Sequence, residues 1–150
     1  MAQIFPTDQE ACVQRQDIKA VQASFNRVLP MRDEFSTTFY GRLFELAPSV
    51  RPMFPSDTTE LRAKLVDTLD YVLLHLYNLD GLKSAVAELA QKHVDYGTLP
   101  DHFAPTGEAL IHALDVHSKG GLTEAEQAAW LAVYTFISDT MIEAMENAKA

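Results

Sequence analysis

Apolar residues recur at every third or fourth position along most of the chain, and runs of strict apolar–polar alternation are nearly absent. The first spacing lines up one stripe of a helix, whereas a half-buried strand needs a period of two. Proline and glycine punctuate the pattern, at Pro30, Pro48, Pro52, Pro55, Gly97, Pro100, Pro105, Gly107, Gly120 and Gly121. The pattern predicts a first helix from about Gln16 to Leu29, with Ile18, Val21, Phe25 and Val28 as its stripe. A second, from about Arg32 to Leu46, would bury Phe35, Phe39, Leu43 and Leu46. A proline-rich corner follows, Ala47 to Pro55. Asp57 or Thr58 can cap a third helix carrying Leu61, Leu65, Leu69, Val72 and Leu76. Asn78 to Gly81 read as a turn. Leu82, Val86, Leu89 and His93 then share one face of a fourth helix, which Gly97 stops. Asp101 can cap a fifth helix carrying Phe103, Leu110, Ile111 and Leu114, and Gly120-Gly121 breaks it. Thr123 and Glu126 have the spacing of a capping box ahead of a last helix with Trp130, Val133, Tyr134, Ile137 and Met141. These six main helices, with mostly short connections, describe a compact all-α domain.

Composition narrows the class. The chain has 150 residues, of which 47% are apolar, enough for one domain with a full core. There is no internal repeat or long linker, so residues 1–150 read as a single domain, with the first ~15 residues an N-terminal extension. The net charge of −9 argues against nucleic acid and anionic membranes as partners. Cys12 is the lone cysteine, so no disulfide can form within the chain. A free thiol fits a reducing compartment. The first residues lack a basic segment followed by an apolar core. The longest apolar stretch, Tyr71 to Tyr77, is interrupted by His75 and is far too short to span a bilayer. A cytoplasmic location is expected.

Most familiar chemistries are missing. The glycines are too scattered for a phosphate-binding loop. No Cys or His pair has zinc-ligand spacing, and His112 and His117, five apart, share a helical face poorly. His93 stands out because it continues an apolar stripe where a leucine belongs. Alone it reads as a core or helix-end histidine. Its surroundings add weight: Tyr96-Gly97, Pro100 and Phe103 follow it, and it lies 39 residues after a Phe54 flanked by prolines.

The segment from Leu89 through His93 to Gly97, continuing to Phe103 and Gly107-Glu108-Ala109-Leu110, resembles the proximal region of globins. Phe39-Tyr40-Gly41-Arg42-Leu43-Phe44-Glu45-Leu46-Ala47-Pro48, ending at Phe54, is similar to their second helix and following corner. Trp130 to Tyr134 resembles their last helix. The match runs from about Asp17 to Met145 and looks most like bacterial single-domain globins and the haem domains of flavohaemoglobins. Each motif is loose; their order and spacing are specific.

The resemblance implies a globin fold of six to eight helices around one haem b (iron protoporphyrin IX). His93 would be the proximal iron ligand, its other ring nitrogen donating to a carbonyl near Leu89. Phe54 would pack on the porphyrin face. Tyr40 would point at bound gas as a hydrogen-bond donor, against the simpler reading of a core aromatic with a wet hydroxyl. Counting back from Asn78–Leu82 puts Leu61 at the distal position and Leu65 one turn further, over the iron. A one-residue slip would bring Glu60 or Arg62 there instead. Lys64 would sit at the haem edge as a propionate partner, a sixth iron ligand or simply a solvated lysine. His102 and Tyr96 are peripheral candidates. His75, His112 and His117 read as packing or surface residues.

Two features depart from the family pattern. Leu61 cannot donate a hydrogen bond, which leaves Tyr40 as the distal donor. Phe103 stands where flavohaemoglobin-like domains often have a tyrosine directed toward the proximal histidine, so His93 is expected to push less electron density onto iron. With the sequence ending at Ala150, no flavin reductase domain is expected, and any turnover would need electrons from a separate partner. These features favour reversible binding of dioxygen, carbon monoxide or nitric oxide, for storage, delivery or sensing, by a monomer or homodimer. Nitric oxide dioxygenation with a separate reductase is the enzymatic alternative. A haem-free globin-like signalling module is the third reading.

Overall fold

The structure, a computed structural model, describes residues 13–149; Cys12 lies outside them. Its long elements are α1 (Arg15–Val28), α2 (Arg32–Leu46), α3 (Thr59–Leu74), α4 (Leu79–Asp95), α5 (Phe103–His117) and α6 (Glu124–Lys149). Short 3-10 turns occupy Leu29–Met31, Pro48–Met53 and Pro100–His102. No strand occurs among the described residues, and no helix there is long and apolar enough to cross a membrane.

The core follows the stripes. Ile18, Val21, Phe25 and Val28 of α1 are buried, as are Phe35, Phe39 and Leu43 of α2. Helix packs on helix, α1 and α4 against α6, and α2 against α5 and α3. Trp130 of α6 is wholly inside. Its indole N–H donates to Ser24 Oγ at 2.8 Å, and Ser24 donates to the Ala20 carbonyl. A buried indole N–H without an acceptor would cost roughly 1–3 kcal/mol, so the small polar Ser24 is suited to an otherwise apolar face. Gln22 Nε2 of α1 donates at 2.6 Å to the Leu73 carbonyl, one of the last carbonyls of α3 with no partner in its own helix.

The helix ends match the sequence with three corrections. Leu76, expected on α3, lies beyond it, because the helix closes at Leu74 with His75 as its C-cap; Leu76 is buried all the same. Asp57 Oδ1 accepts from the Thr59 amide and hydroxyl, opening α3. Thr123 and Glu126 form the reciprocal capping box, both bonds at 3.0 Å. The expected turn at Asn78–Gly81 is instead the first turn of α4: Asn78 is its cap, with Oδ1 accepting from the Gly81 amide. Asn favours caps as well as turns, so the two readings share one signal. Asp101 does not cap α5. Residues Pro100–His102 form a separate 3-10 turn, and His102 Nδ1 accepts from the Leu99 amide at 3.0 Å. That bond belongs to the 3-10 turn; α5 itself, with His102 as its N-cap residue, has no side-chain cap.

Candidate functional site

The end of α4 fixes His93. Gly97 has φ 85°, a conformation open to glycine at little cost. The Gly97 amide donates to the Val94 carbonyl and the Thr98 amide to the His93 carbonyl, each at 3.0 Å. These are the two bonds of a Schellman motif, and they bring the chain back toward the ring of His93. The imidazole Nδ1 lies 2.8 Å from the Leu89 carbonyl oxygen. A carbonyl can only accept, so Nδ1 carries a proton, and in the neutral ring the lone pair is on Nε2.

That ring forms part of the wall of a cavity of about 620 Å³, within the usual size of small-molecule sites. Tyr40, Phe54, Leu61, Lys64, Leu65, Tyr96, His102 and Phe103 line the same space. Eight of the nine cavity candidates named with His93 therefore converge there. Leu89 does not reach the wall; its contribution is the carbonyl that orients His93. Leu61 and Leu65 both face in, one turn apart, with Glu60 and Lys64 beside them. Of the two residues a one-residue slip would bring to the distal position, Glu60 is on the wall beside Leu61 and Arg62 is not. Phe39, Leu43, Val50 and Met53 complete the apolar surface. The sequence presented the first two only as core stripe, because a cavity wall and a core have the same period.

Tyr40 sits in an aromatic cluster. Its ring centroid is 5.6 Å from Phe54 and 4.9 Å from Phe39, both edge-to-face. Burial pushes the Tyr40 phenol up to about 12, offset in part by the positive charge of Arg62. The hydroxyl is therefore a protonated donor at any ordinary pH. Phe103 lies with its ring centroid 6.3 Å from that of His93. The nearby Tyr134 hydroxyl donates at 2.7 Å to the Phe103 carbonyl, so this phenol is directed at the backbone. Tyr96 is 60% exposed, with its ring centroid 6.3 Å from His93, at the rim.

The other histidines lie elsewhere. His75 is exposed, stacks on Tyr71 and has Nδ1 2.7 Å from the Tyr71 carbonyl. His117 pairs with the Thr38 hydroxyl at 2.7 Å, and His112 is half-buried on α5. Among the described residues no group of three or more His, Cys, Asp or Glu could hold a metal ion. A single imidazole in an apolar wall holds a metal firmly only when an organic ligand supplies the remaining donors. A flat macrocycle with a central metal fits that donor set and this cavity.

The family model described as globin matches residues 37–141. The chain belongs to the globin family. A flavohemoprotein of Pseudomonas putida is 32% identical over 120 residues, covering 77% of this globin and 30% of the relative. Neuroglobin-1 of Oncorhynchus mykiss is 28% identical over 116 residues, covering 68% of this chain and 73% of that one. The solved bacterial globin from Campylobacter jejuni superposes with a TM-score of 0.80 at 22% identity, over 91% of this globin and 99% of that chain. The globin spans under a third of the length of the flavohemoproteins it matches.

Proposed function

We propose that this globin, as a single domain, binds one haem b through His93 Nε2 and reversibly binds dioxygen or another diatomic gas. The observation that carries the reading is the His93–Leu89 bond at the wall of a mostly apolar cavity that Tyr40 also lines. A bound haem would supply an iron centre with one coordination position open to a small ligand. His93 offers a neutral imidazole in one tautomer and one orientation, because Leu89 fixes Nδ1. Phe54 and Phe103 give flat apolar area for a macrocycle. Leu61 and Leu65 keep water out and donate nothing. Tyr40 is the distal donor to a ligand that carries partial negative charge. Lys64 and His102, at the wall beside polar rim residues, suit the carboxylates of the macrocycle; exposed pairs of this kind contribute little energy.

Dioxygenation of nitric oxide with a separate reductase is the second reading, and the similarity to flavohemoproteins favours it. The proximal side weighs against it. The hydrogen-bond partner of His93 among the described residues is a neutral carbonyl, and the nearby phenol of Tyr134 is occupied by the Phe103 backbone. A carbonyl gives the imidazole less anionic character than a carboxylate or an aligned phenol would. The haem-free signalling reading finds no support in a cavity that retains a lone-pair nitrogen, a donor and an open volume.

The test is an absorption spectrum of the purified protein after reconstitution with haem, in the ferric, ferrous, oxygen-bound and carbon monoxide-bound states. A Soret band that shifts with each state is expected. No Soret band after reconstitution sinks the haem reading. Sustained nitric oxide consumption with a cognate reductase would promote the second reading over the first.

A further inference from the structure

The geometry points to Arg51 as a positioning residue for the pocket: its guanidinium holds the proline-rich corner in the one arrangement that sets Phe54 against Tyr40. This rests on the haem reading for its functional consequence, though not for the contacts themselves.

The corner between Pro48 and Ser56 has a supply problem. Pro52 and Pro55 have no backbone N–H, so the segment is short of donors for its own carbonyls. Arg51 meets that shortage. Its Nη1 donates to the carbonyls of Phe54 and Pro55, each at 3.2 Å, and its Nη2 to the Ser56 carbonyl at 3.4 Å. Its own carbonyl accepts from the Phe54 amide at 3.1 Å. The same guanidinium lies over the Phe44 ring, 4.9 Å from the centroid. Phe44 in turn meets Phe54 at 5.3 Å and Tyr40 at 6.0 Å. One side chain therefore grips both the backbone that carries Phe54 and the ring on which Phe54 rests.

Lysine cannot substitute. A planar fork with five N–H groups can serve several carbonyls while its face lies on a ring, whereas an ammonium is a compact point charge. Arg51 belongs to none of the ion pairs of the described residues, so its charge is committed to carbonyls and a π-face. It does not line the cavity, so any effect on the pocket passes through Phe54 and Tyr40.

Two measurements on Arg51→Met and Arg51→Lys test this. The first is hydrogen exchange of the Phe54 amide in the apo-protein, with the Leu82 amide of α4 as control. The second is the rate of haem transfer from the reconstituted protein to an excess of an apo-globin acceptor. Both variants are expected to speed Phe54 exchange and haem loss about fivefold, the change equivalent to roughly one lost net hydrogen bond. The Leu82 amide should be unaffected. Unchanged Phe54 exchange in both variants overturns the proposal, as does faster exchange with haem loss at the wild-type rate. Wild-type behaviour of Arg51→Lys in both measurements overturns the claim that the fork is required. If Arg51→Met fails to fold, Arg51→Lys decides alone. If the wild-type protein takes up no haem, the haem reading falls, and Phe54 exchange still decides whether Arg51 holds the corner.

Discussion

The Leu89 carbonyl oxygen and His93 Nδ1, one helical turn apart, are 2.8 Å from each other. Helical geometry alone allows this, since residues i and i+4 share a face. The bond consumes the ring's N–H and leaves Nε2 as a fixed lone pair at the cavity. His93→Ala removes that lone pair without disturbing the Schellman turn, which is made of backbone. The expected outcome is loss of tight haem uptake with the helical circular dichroism retained. Added imidazole should restore part of the Soret band by occupying the vacated space. A His93→Ala protein with the wild-type ferrous spectrum would refute the assignment.

Tyr40 gives the second prediction. Replacing its hydroxyl with hydrogen in Tyr40→Phe keeps the ring against Phe54 and removes the donor. Oxygen dissociation should accelerate about fivefold, corresponding to roughly 1 kcal/mol for one net hydrogen bond. The pH dependence follows from the phenol being pushed up to about 12 by burial. Its donor form persists below that value and is lost as pH rises through it. The off-rate of the wild type should therefore be flat from about pH 6 to about pH 9 and climb only in strong alkali. Stopped-flow measurement checks both points. A climb centred near pH 10 would mean that the phenol is open to water.

How much of this was legible beforehand depends on what each residue signals locally. His93 interrupts an apolar stripe, and the tyrosine–glycine pair after it marks the helix end, but alone these signal only a core or helix-end histidine; its place at a cavity wall follows from its order and spacing with Tyr40 and Phe54, through the resemblance to globins. Leu61 and Leu65 follow from counting back from Asn78–Leu82 within the resemblance to globins, a count that is open to a one-residue slip because the helical stripe alone does not fix the register. Arg51 could not be read. A basic residue in a proline-rich loop looks like a solvated charge, and its value depends on carbonyls whose orientation appears only when the corner is folded. His102 carries the same lesson: its ring accepts from the Leu99 amide, a bond that composition does not announce. Phe39 and Leu43 were placed correctly inside, but periodicity cannot separate a wall from a core.

The third prediction concerns stability and acid. Arg27 meets Glu126 through two bonds of 2.8 Å and also donates to Ser118, tying α1 to the start of α6. The Arg27 guanidinium, first through its hydrogen bonds, holds the Glu126 carboxyl down at about 2 instead of 4.5. A depressed carboxyl stabilises the fold above its unfolded value, and the stabilisation is lost as pH falls from about 4.5 through about 2. Water reaches the pair through Arg27, whose side chain is 37% exposed, so the gain is about 1 kcal/mol. Urea unfolding of wild type and Glu126→Gln should differ by that amount at neutral pH and converge near pH 2. A gap that persists in acid would assign the stabilisation to packing instead of charge.

Gly107 makes the fourth prediction, on the proximal side. A Cβ at this position would lie 2.6 Å from Tyr134 Cε2 and 2.8 Å from Cδ2. The ring cannot easily yield, because its hydroxyl is held at 2.7 Å by the Phe103 carbonyl and the half-buried Tyr134 packs against the core. Gly107→Ala should therefore cost about 1–3 kcal/mol, the usual penalty for overpacking, despite alanine's better helix propensity. Tyr134→Leu removes both the ring and the bond and should carry its own cost. The double variant should be more stable than the sum of the two single losses implies, because the clash disappears with the ring. Thermal unfolding of all four proteins measures the coupling. Strict additivity would show that α5 and α6 can move apart at Gly107, and that the start of α5, with Phe103 beside His93, is held by something other than Tyr134.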